Sequence, residues 1–296
     1  MAHVGTAELV SAVSNAGALG IIGAGYYQPE WVRQQIRFTK QKTANPFGIN
    51  IPLTSPYVRE VIDVILEEKV PIVATGTGNP EPYIPEFKKA GMIIVPVVAT
   101  VSAARHMERL SVDAVVAEGM ESGGHIGETT TIALIPQVVN AVKIPVIAAG
   151  GFFDGKGLVA ALALSAQGIQ MGTRFVCSTE CIAHPAYKQK ILEADDRATV
   201  VTGYTTGLPL RSLKNSLTKQ YQELEKAGIS KEELNLLGQG KMYQGLIEGN
   251  IEEGSLLAGQ IAGMIKNIKP AKAIIDETIA EAESIIVSLK KFKTRR

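Results

Sequence analysis

The run Ala117–Gly127, AEGMESGGHIG, places His125 directly behind Gly123 and Gly124 and a few residues after the carboxylate of Glu118. An imidazole in that setting can give a proton or a hydrogen bond to a carbonyl as negative charge develops on it. Two further glycine-rich turns, Ala148–Gly151 (AAGG) and Gln170–Thr173 (QMGT), each end an apolar segment. In the second turn the Gly172 N–H and the Thr173 hydroxyl can hold phosphate without a cationic side chain. Gly150 and Gly151 let the chain approach a ligand closely one segment earlier. Asn50 ends another apolar segment and offers both donor and acceptor to a heterocycle edge. Thr75 and Gly76 end the next one, with Asn79 behind them. This is the layout of a phosphate-bearing cofactor site with a polar group over its reactive end.

Several chemistries are unsupported. GxGxxG and GxxxxGK[ST] are both missing, so a mononucleotide such as FMN, or a phosphorylated substrate, fits better than a Rossmann or P-loop ligand. No Ser–His–Asp arrangement and no lysine at a strand end is visible, which argues against hydrolase and class I aldolase chemistry. Cys177, Cys181 and His184 fall at helical spacing and are ligands zinc could use, but a fourth is not evident and Pro185 limits the helix. Buried structural cysteines are the preferred reading, and no metal site is expected. His3 and His106 lack a setting like that of His125.

The elements that must position these residues recur as short Val- and Ile-rich segments: Ala18–Gly23, Phe47–Ile51, Ile72–Gly76, Met92–Val97, Asp113–Glu118, Pro145–Gly150 and Gly168–Gly172. Most close on Gly or Pro, as buried parallel strands do. Helical stretches such as Tyr57–Lys69, Pro82–Ala90, Ser102–Leu110 and Gly157–Leu164 alternate with them, giving βαβ units and a parallel sheet. Thr6 is placed to cap a first helix reaching Asn15. Seven strands permit an open doubly wound sheet or a TIM-type (β/α)8 barrel whose first strand lies ahead of Met1. The barrel is preferred, which puts the glycine turns after the seventh and eighth strands, where barrels commonly bind phosphate.

The expected organisation is a ligand-binding α/β barrel over residues 1–198, a small helical lobe over 199–250, and helices returning to the barrel over 251–296. The lobe is expected to be helical throughout, Gly254–Met264 to form a small-residue helix, and Ala271–Leu289 an amphipathic one. The basic tail Lys290–Arg296 is expected to be a solvated end.

Composition narrows the class further. The 296 residues are 46% hydrophobic and 20% charged, ordinary for a globular protein, and a net charge of +1 gives no support to nucleic-acid binding. No apolar run approaches the roughly 20 residues of a membrane span, and no signal-peptide pattern opens the chain. Two cysteines cannot build a disulfide framework. A cytoplasmic protein is the resulting expectation.

The chain resembles the FMN-dependent enoyl-[acyl-carrier-protein] reductases of the FabK type, within the wider nitronate monooxygenase (2-nitropropane dioxygenase-like) family. The resemblance spans essentially the whole chain through MAHVGTAELVSAVSNAGALGIIG, PFGINI, IVATGTGNP, DAVVAEGMESGGHIG, IPVIAAGGFFDGKG and GIQMGTRF, in the family's order. AHPAYKQKIL, RSLKNSLT and LLAGQIAGM look more like the reductase branch, and Ile126 stands where the nitronate branch typically carries Arg.

The resemblance implies FMN at the C-terminal rim, with Gly172 and Thr173 in the phosphate turn and Gly150 and Gly151 on the neighbouring loop. It places Asn50, Thr75 and Glu118 around the ring system and ribityl chain, with Gln170, Gly123 and Gly124 in the same site. Met1 matches the end of the family's first strand, and His125 the active-site histidine. NADH or NADPH would reduce the flavin, which would pass hydride to the β-carbon of a trans-2-enoyl thioester on acyl carrier protein, the last step of fatty-acid elongation. A homodimer is the family expectation. Arg211, Lys214 and Lys219 are candidate contacts for the acidic carrier, although only the first two are close neighbours on one helix face. Nitronate oxidation on the same scaffold, or silent FMN binding, are the alternatives.

Overall fold

The computed structural model describes residues 1–290; residues 291–296 of the basic tail lie outside them. Ten strands are present among the described residues: β1 (Gly20–Gly23), β2 (Phe47–Pro52), β3 (Ile72–Gly76), β4 (Ile93–Val98), β5 (Val115–Glu118), β6 (Gly124–His125), β7 (Val146–Ala149), β8 (Gly168–Gln170), β9 (Thr199–Thr202) and β10 (Leu210–Leu213). Seven of them form one sheet in the order β1-β2-β3-β4-β5-β7-β8. Every pairing in it is parallel. A doubly wound sheet would reverse its order at a switch point. Here each strand lies beside its predecessor in the sheet, which is the progression of a barrel wall, and β1 and β8 are its two edges.

Sequence chemistry explains the wall. β2 and β3 carry Ile49, Ile51, Val73 and Ala74 fully buried, as expected where helices cover one face and the barrel interior the other. The main core lies between the strands and the outer helices, with Ile22, Ile36, Ile62, Phe87, Ile94 and Leu134 among its members. A smaller interior cluster holds Ile72, Val95, Ala114, Val116 and Ala149. β8 differs: all three of its residues are only half-buried.

Residues Met1–Gly5 lie against the β1 edge. Gly5 N–H donates to the Met1 carbonyl and Gly23 N–H to the Gly5 carbonyl, both at 2.9 Å. A Cβ on Gly172, just past β8, would lie 3.6 Å from Met1 Cγ, so Met1 reaches from one edge strand toward the other.

Three expectations are corrected. The segment after Thr199 is not wholly helical, because β9 and β10 form a hairpin that pairs onto β6 as a separate antiparallel sheet. The β-branched run TVVT favours a strand, and Gly203 and Gly207, at φ 83° and 80°, make the turn. Helices Ser216–Lys226, Lys231–Gly238 and Lys241–Leu246 follow it. Gly254–Met264 is not a helix: the chain runs extended to a short 3-10 turn, Gln260–Met264. Its glycines serve close packing instead, since a Cβ on Gly254 would fall 2.3 Å from Gly245 Cα. Thr6 precedes helix Ala7–Asn15, but its hydroxyl donates to Glu8, and the Ala7 N–H is satisfied by Gln35 Oε1 at 2.9 Å. Helix Ala271–Leu289 forms as expected, burying Ala271, Ile274, Thr278 and Ala282.

Candidate active site

Parallel pairing brings the strand ends to one rim, so Asn50, Thr75, Glu118, Gly150, Gly151, Gln170, Gly172 and Thr173 all lie there. Asn50 is half-buried in the last half of β2, and its amide makes no side-chain hydrogen bond among the described residues. A Cβ on Gly76 would meet only that amide, at 3.7 Å, which leaves the space above the neighbouring strand end open. Thr75 is buried on β3 opposite Ile51. Gln170 ends β8 opposite Ala149.

The two glycine turns differ in purpose. Gly150, at φ 89°, lies so close to the next loop that a Cβ would come within 2.6 Å of the Gly119 carbonyl. Its own carbonyl accepts from the Thr131 hydroxyl at 2.9 Å. Gly172 has open space, with Met1 as its nearest neighbour. The amides of Gly151, Gly172 and Thr173 donate to no protein acceptor among the described residues. Unpaired N–H groups on two adjacent turns are suited to an anion. The Thr173 hydroxyl accepts from Gly259 N–H at 3.0 Å, which ties the second turn to the returning chain.

His125 reaches the rim by a route that its sequence neighbours do not show. β6 is too short to stand alone and pairs with β10, His125 opposite Leu210 and Gly124 opposite Arg211. Gly123 packs so tightly on the returning segment that a Cβ would fall 2.6 Å from Gly259 N. Gly124 turns the chain at φ 85°. Burial holds the imidazole below its ordinary pKa, and no charged group bears on it. Glu118 and His125 are therefore not an acid–base pair. Burial pushes the Glu118 carboxyl up to about 7, while the Ser122 hydroxyl and the Met1 amino group favour its charged form. The Ser122 hydroxyl is itself buried and lies outside hydrogen-bonding geometry with any partner among the described residues.

Three residues gain roles that the sequence did not suggest. Arg211 belongs to β10, not to a helix, and is buried with its guanidinium on the Met120 carbonyl, so it is no docking contact. Glu121 accepts from the Thr131 N–H and hydroxyl, fixing the histidine loop to the start of helix Thr131–Ala141. His3 is not isolated: Nδ1 bonds the Tyr27 hydroxyl at 2.7 Å, Tyr27 stacks on Trp31, and Tyr243 meets His3 edge-on. Only the pairing of distant segments creates these contacts.

The Cys177, Cys181 and His184 trio is engaged elsewhere. Both thiols are buried, and His184 Nδ1 accepts from Ala186 N–H at 3.1 Å as a helix cap. Among the described residues no helix is long and apolar enough to cross a membrane.

A one-way parallel wall with two neighbouring amide-bearing turns at its rim, and the histidine loop following one of its strands, defines a barrel-type site suited to an anionic ligand. A family model described as nitronate monooxygenase matches residues 1–61 and 53–281, and the chain belongs to that family of flavin-dependent enzymes. Within it, the chain is similar to FabK from Thermotoga maritima at 47% identity and a TM-score of 0.96, covering 99% of this chain and 94% of that one. It is 32% identical to a probable nitronate monooxygenase of Staphylococcus saprophyticus, over 97% of this chain and 94% of the relative. It is 31% identical to a Mycobacterium tuberculosis hydroxy-methyl-oxo-octahydroindene-carboxyl-CoA dehydrogenase, over 95% and 91%.

Proposed function

We propose that this chain reduces trans-2-enoyl thioesters carried on acyl carrier protein, with FMN as cofactor and NADH or NADPH as reductant. The observation that carries the reading is His125, neutral and free of any carboxylate, in a chain 47% identical to FabK over 99% of its length. A thioester substrate also agrees with the carboxyl-CoA dehydrogenase among its relatives.

The residues fit the cofactor. The free amides of Gly151, Gly172 and Thr173 would hold its phosphate, and Asn50 and Glu118 would meet its ring system above the open space at Gly76. Thr75, Gln170 and the backbone of Met1, Gly123 and Gly124 would complete the surround. When bound, the flavin supplies hydride taken from the nicotinamide. Hydride arriving at the β-carbon drives negative charge onto the thioester oxygen, which needs a donor in a site shielded from water. His125 gives that hydrogen bond. A neutral imidazole suits this role, because its N–H polarises the carbonyl without a counter-ion. Residues 1–198 hold the cofactor in this reading, 199–250 cover the acyl group, and 251–296 close back on the barrel. A homodimer belongs to the same proposal and is read by light scattering.

The test is NAD(P)H oxidation under low oxygen with added FMN, with and without trans-2-enoyl thioester. Oxidation that requires the thioester supports the reductase. Indifference to thioester, with oxygen uptake on nitronate, supports the monooxygenase reading that the relative from Staphylococcus saprophyticus carries in its name.

A further inference from the structure

Five non-glycine residues among those described have positive φ: His3, Lys69, Thr77, Ser111 and Ser165. Lys69, Ser111 and Ser165 each stand one residue past the cap of a helix, where a left-handed residue is ordinary. His3, at φ 63°, has no helix to end. The Val4 N–H donates to the Ala2 carbonyl at 2.9 Å, which makes His3 the centre of a three-residue turn of the strained hand. A residue keeps such a conformation only where its surroundings hold it there, and ligand clamps are among the places where this occurs.

The surroundings of His3 come from two parts of the chain. Its Nδ1 lies 2.7 Å from the Tyr27 hydroxyl, and the two rings meet edge-on at 4.9 Å. Tyr27 is braced in turn by stacking at 3.7 Å on Trp31 of helix Pro29–Lys42. Tyr243 also meets the imidazole edge-on, at 5.7 Å. Its helix, Lys241–Leu246, is fixed at both ends. Ser255 N–H donates to the Lys241 carbonyl and His184 N–H to the Leu246 carbonyl, each at 2.8 Å. Barrel and lobe therefore brace one strained residue between them.

What the turn holds in place is Met1, with only Ala2 between it and His3. A Cβ on Gly23, the last residue of β1, would fall 2.5 Å from the Met1 carbonyl oxygen. Past β8, Met1 Cγ is the nearest atom to a Cβ on Gly172. Met1 thus stands between the two edge strands, beside the free Gly172 and Thr173 amides.

We infer that His3 is a positioning residue for the flavin: bonded to Tyr27 and packed against Tyr243, it locks the strained turn that sets Met1 between Gly23 and Gly172. This rests on the cofactor reading above. Without the bond to Tyr27 the turn would relax, and Met1 would leave the edge of the site.

The experiment titrates FMN into stripped wild type, His3→Ala, His3→Asn and Tyr27→Phe, followed by flavin fluorescence. Thermal midpoints and the emission of Trp31, the one tryptophan in the chain, check that the fold and the aromatic stack survive. His3→Ala and Tyr27→Phe should each weaken FMN binding by about fivefold or more, the scale of one lost hydrogen bond. His3→Asn should keep the wild-type affinity, because Asn tolerates positive φ and its amide, like Nδ1, lies two bonds past Cβ. A folded Tyr27→Phe that binds FMN as tightly as wild type overturns the inference, whether or not His3→Ala folds. Equal losses in His3→Ala and His3→Asn overturn it as well. Wild type that binds no FMN overturns the cofactor reading itself.

Discussion

Arg211 donates from Nε and Nη2 to the carbonyl oxygen of Met120, at 3.1 and 3.0 Å, and so ties the β10 strand to the loop that carries His125. Its Nη1 reaches Thr199 Oγ1 at 3.2 Å. Arg211 is 5% exposed, and burial lowers its pKa, with Tyr204 and Glu121 acting against that shift. A planar fork with several donors fits this geometry where an ammonium does not.

Arg211→Met removes hydrogen bonds from a charged donor, a loss of about 2–3 kcal/mol. The His125 loop then loses its side-chain tie to β10 and keeps only the short β6–β10 backbone ladder, while the phosphate turns remain. Denaturant unfolding should show the stability loss, and kcat should fall at least about tenfold with bound flavin little changed. Equal loss of flavin and turnover would mean that Arg211 supports the whole rim instead.

His125→Ala should lower turnover by about a hundredfold, the scale of a positioned acid or hydrogen-bond donor. The protein should stay yellow, because none of the free phosphate-turn amides belongs to this loop. Single-turnover kinetics would separate the two half-reactions, with the defect confined to thioester reduction. A variant of unchanged turnover would remove His125 from the mechanism.

What the sequence made legible follows a physical rule. Segments such as Phe47–Ile51 and Ile72–Gly76 are buried on both faces, so their composition alone marks them as parallel strands. The glycine turns are legible because they end those strands. Arg211 was not, since its role depends on a carbonyl 91 residues away and its neighbours Lys214 and Lys219 suggest a basic surface. His3 was missed for the same reason: its setting comes from Tyr27 and Tyr243. Gly254–Met264 misled because small residues suit both a packed helix and a close-packed extended chain, and only Gly245 and Glu121 decide between them.

The half-buried carboxyl of Glu118 gives a pH-dependent stability. Its folded pKa of about 7 lies above its ordinary value of 4.5. The folded state thus binds more protons than the unfolded state between those values, and stability falls as pH rises through that window. The contribution is fully present below about pH 4.5 and lost above about pH 7, a span of about 3 kcal/mol. Glu118→Gln removes the titrating group. Its thermal midpoint should exceed that of wild type at about pH 8 and match it at about pH 4.5. Equal differences at both pH values would mean that the carboxyl does not titrate in this range.

Gly150 and Gly172 separate packing from binding. A Cβ on Gly150 would fall 2.6 Å from the Gly119 carbonyl at φ 89°, so Gly150→Ala forces backbone apart and should lower the thermal midpoint of the flavin-free protein. Gly172 has φ −113°, which any residue adopts, and a Cβ there meets only Met1 Cγ, at 3.6 Å. Gly172→Val should therefore leave the flavin-free midpoint nearly unchanged. Its branched side chain would fill the space beside the free Gly172 and Thr173 amides, weakening FMN binding by about tenfold or more, or about 1.4 kcal/mol. Fluorescence titration of FMN into both stripped variants checks this. Tight FMN binding by Gly172→Val would move the phosphate away from this turn and leave the Gly151 amide to hold it.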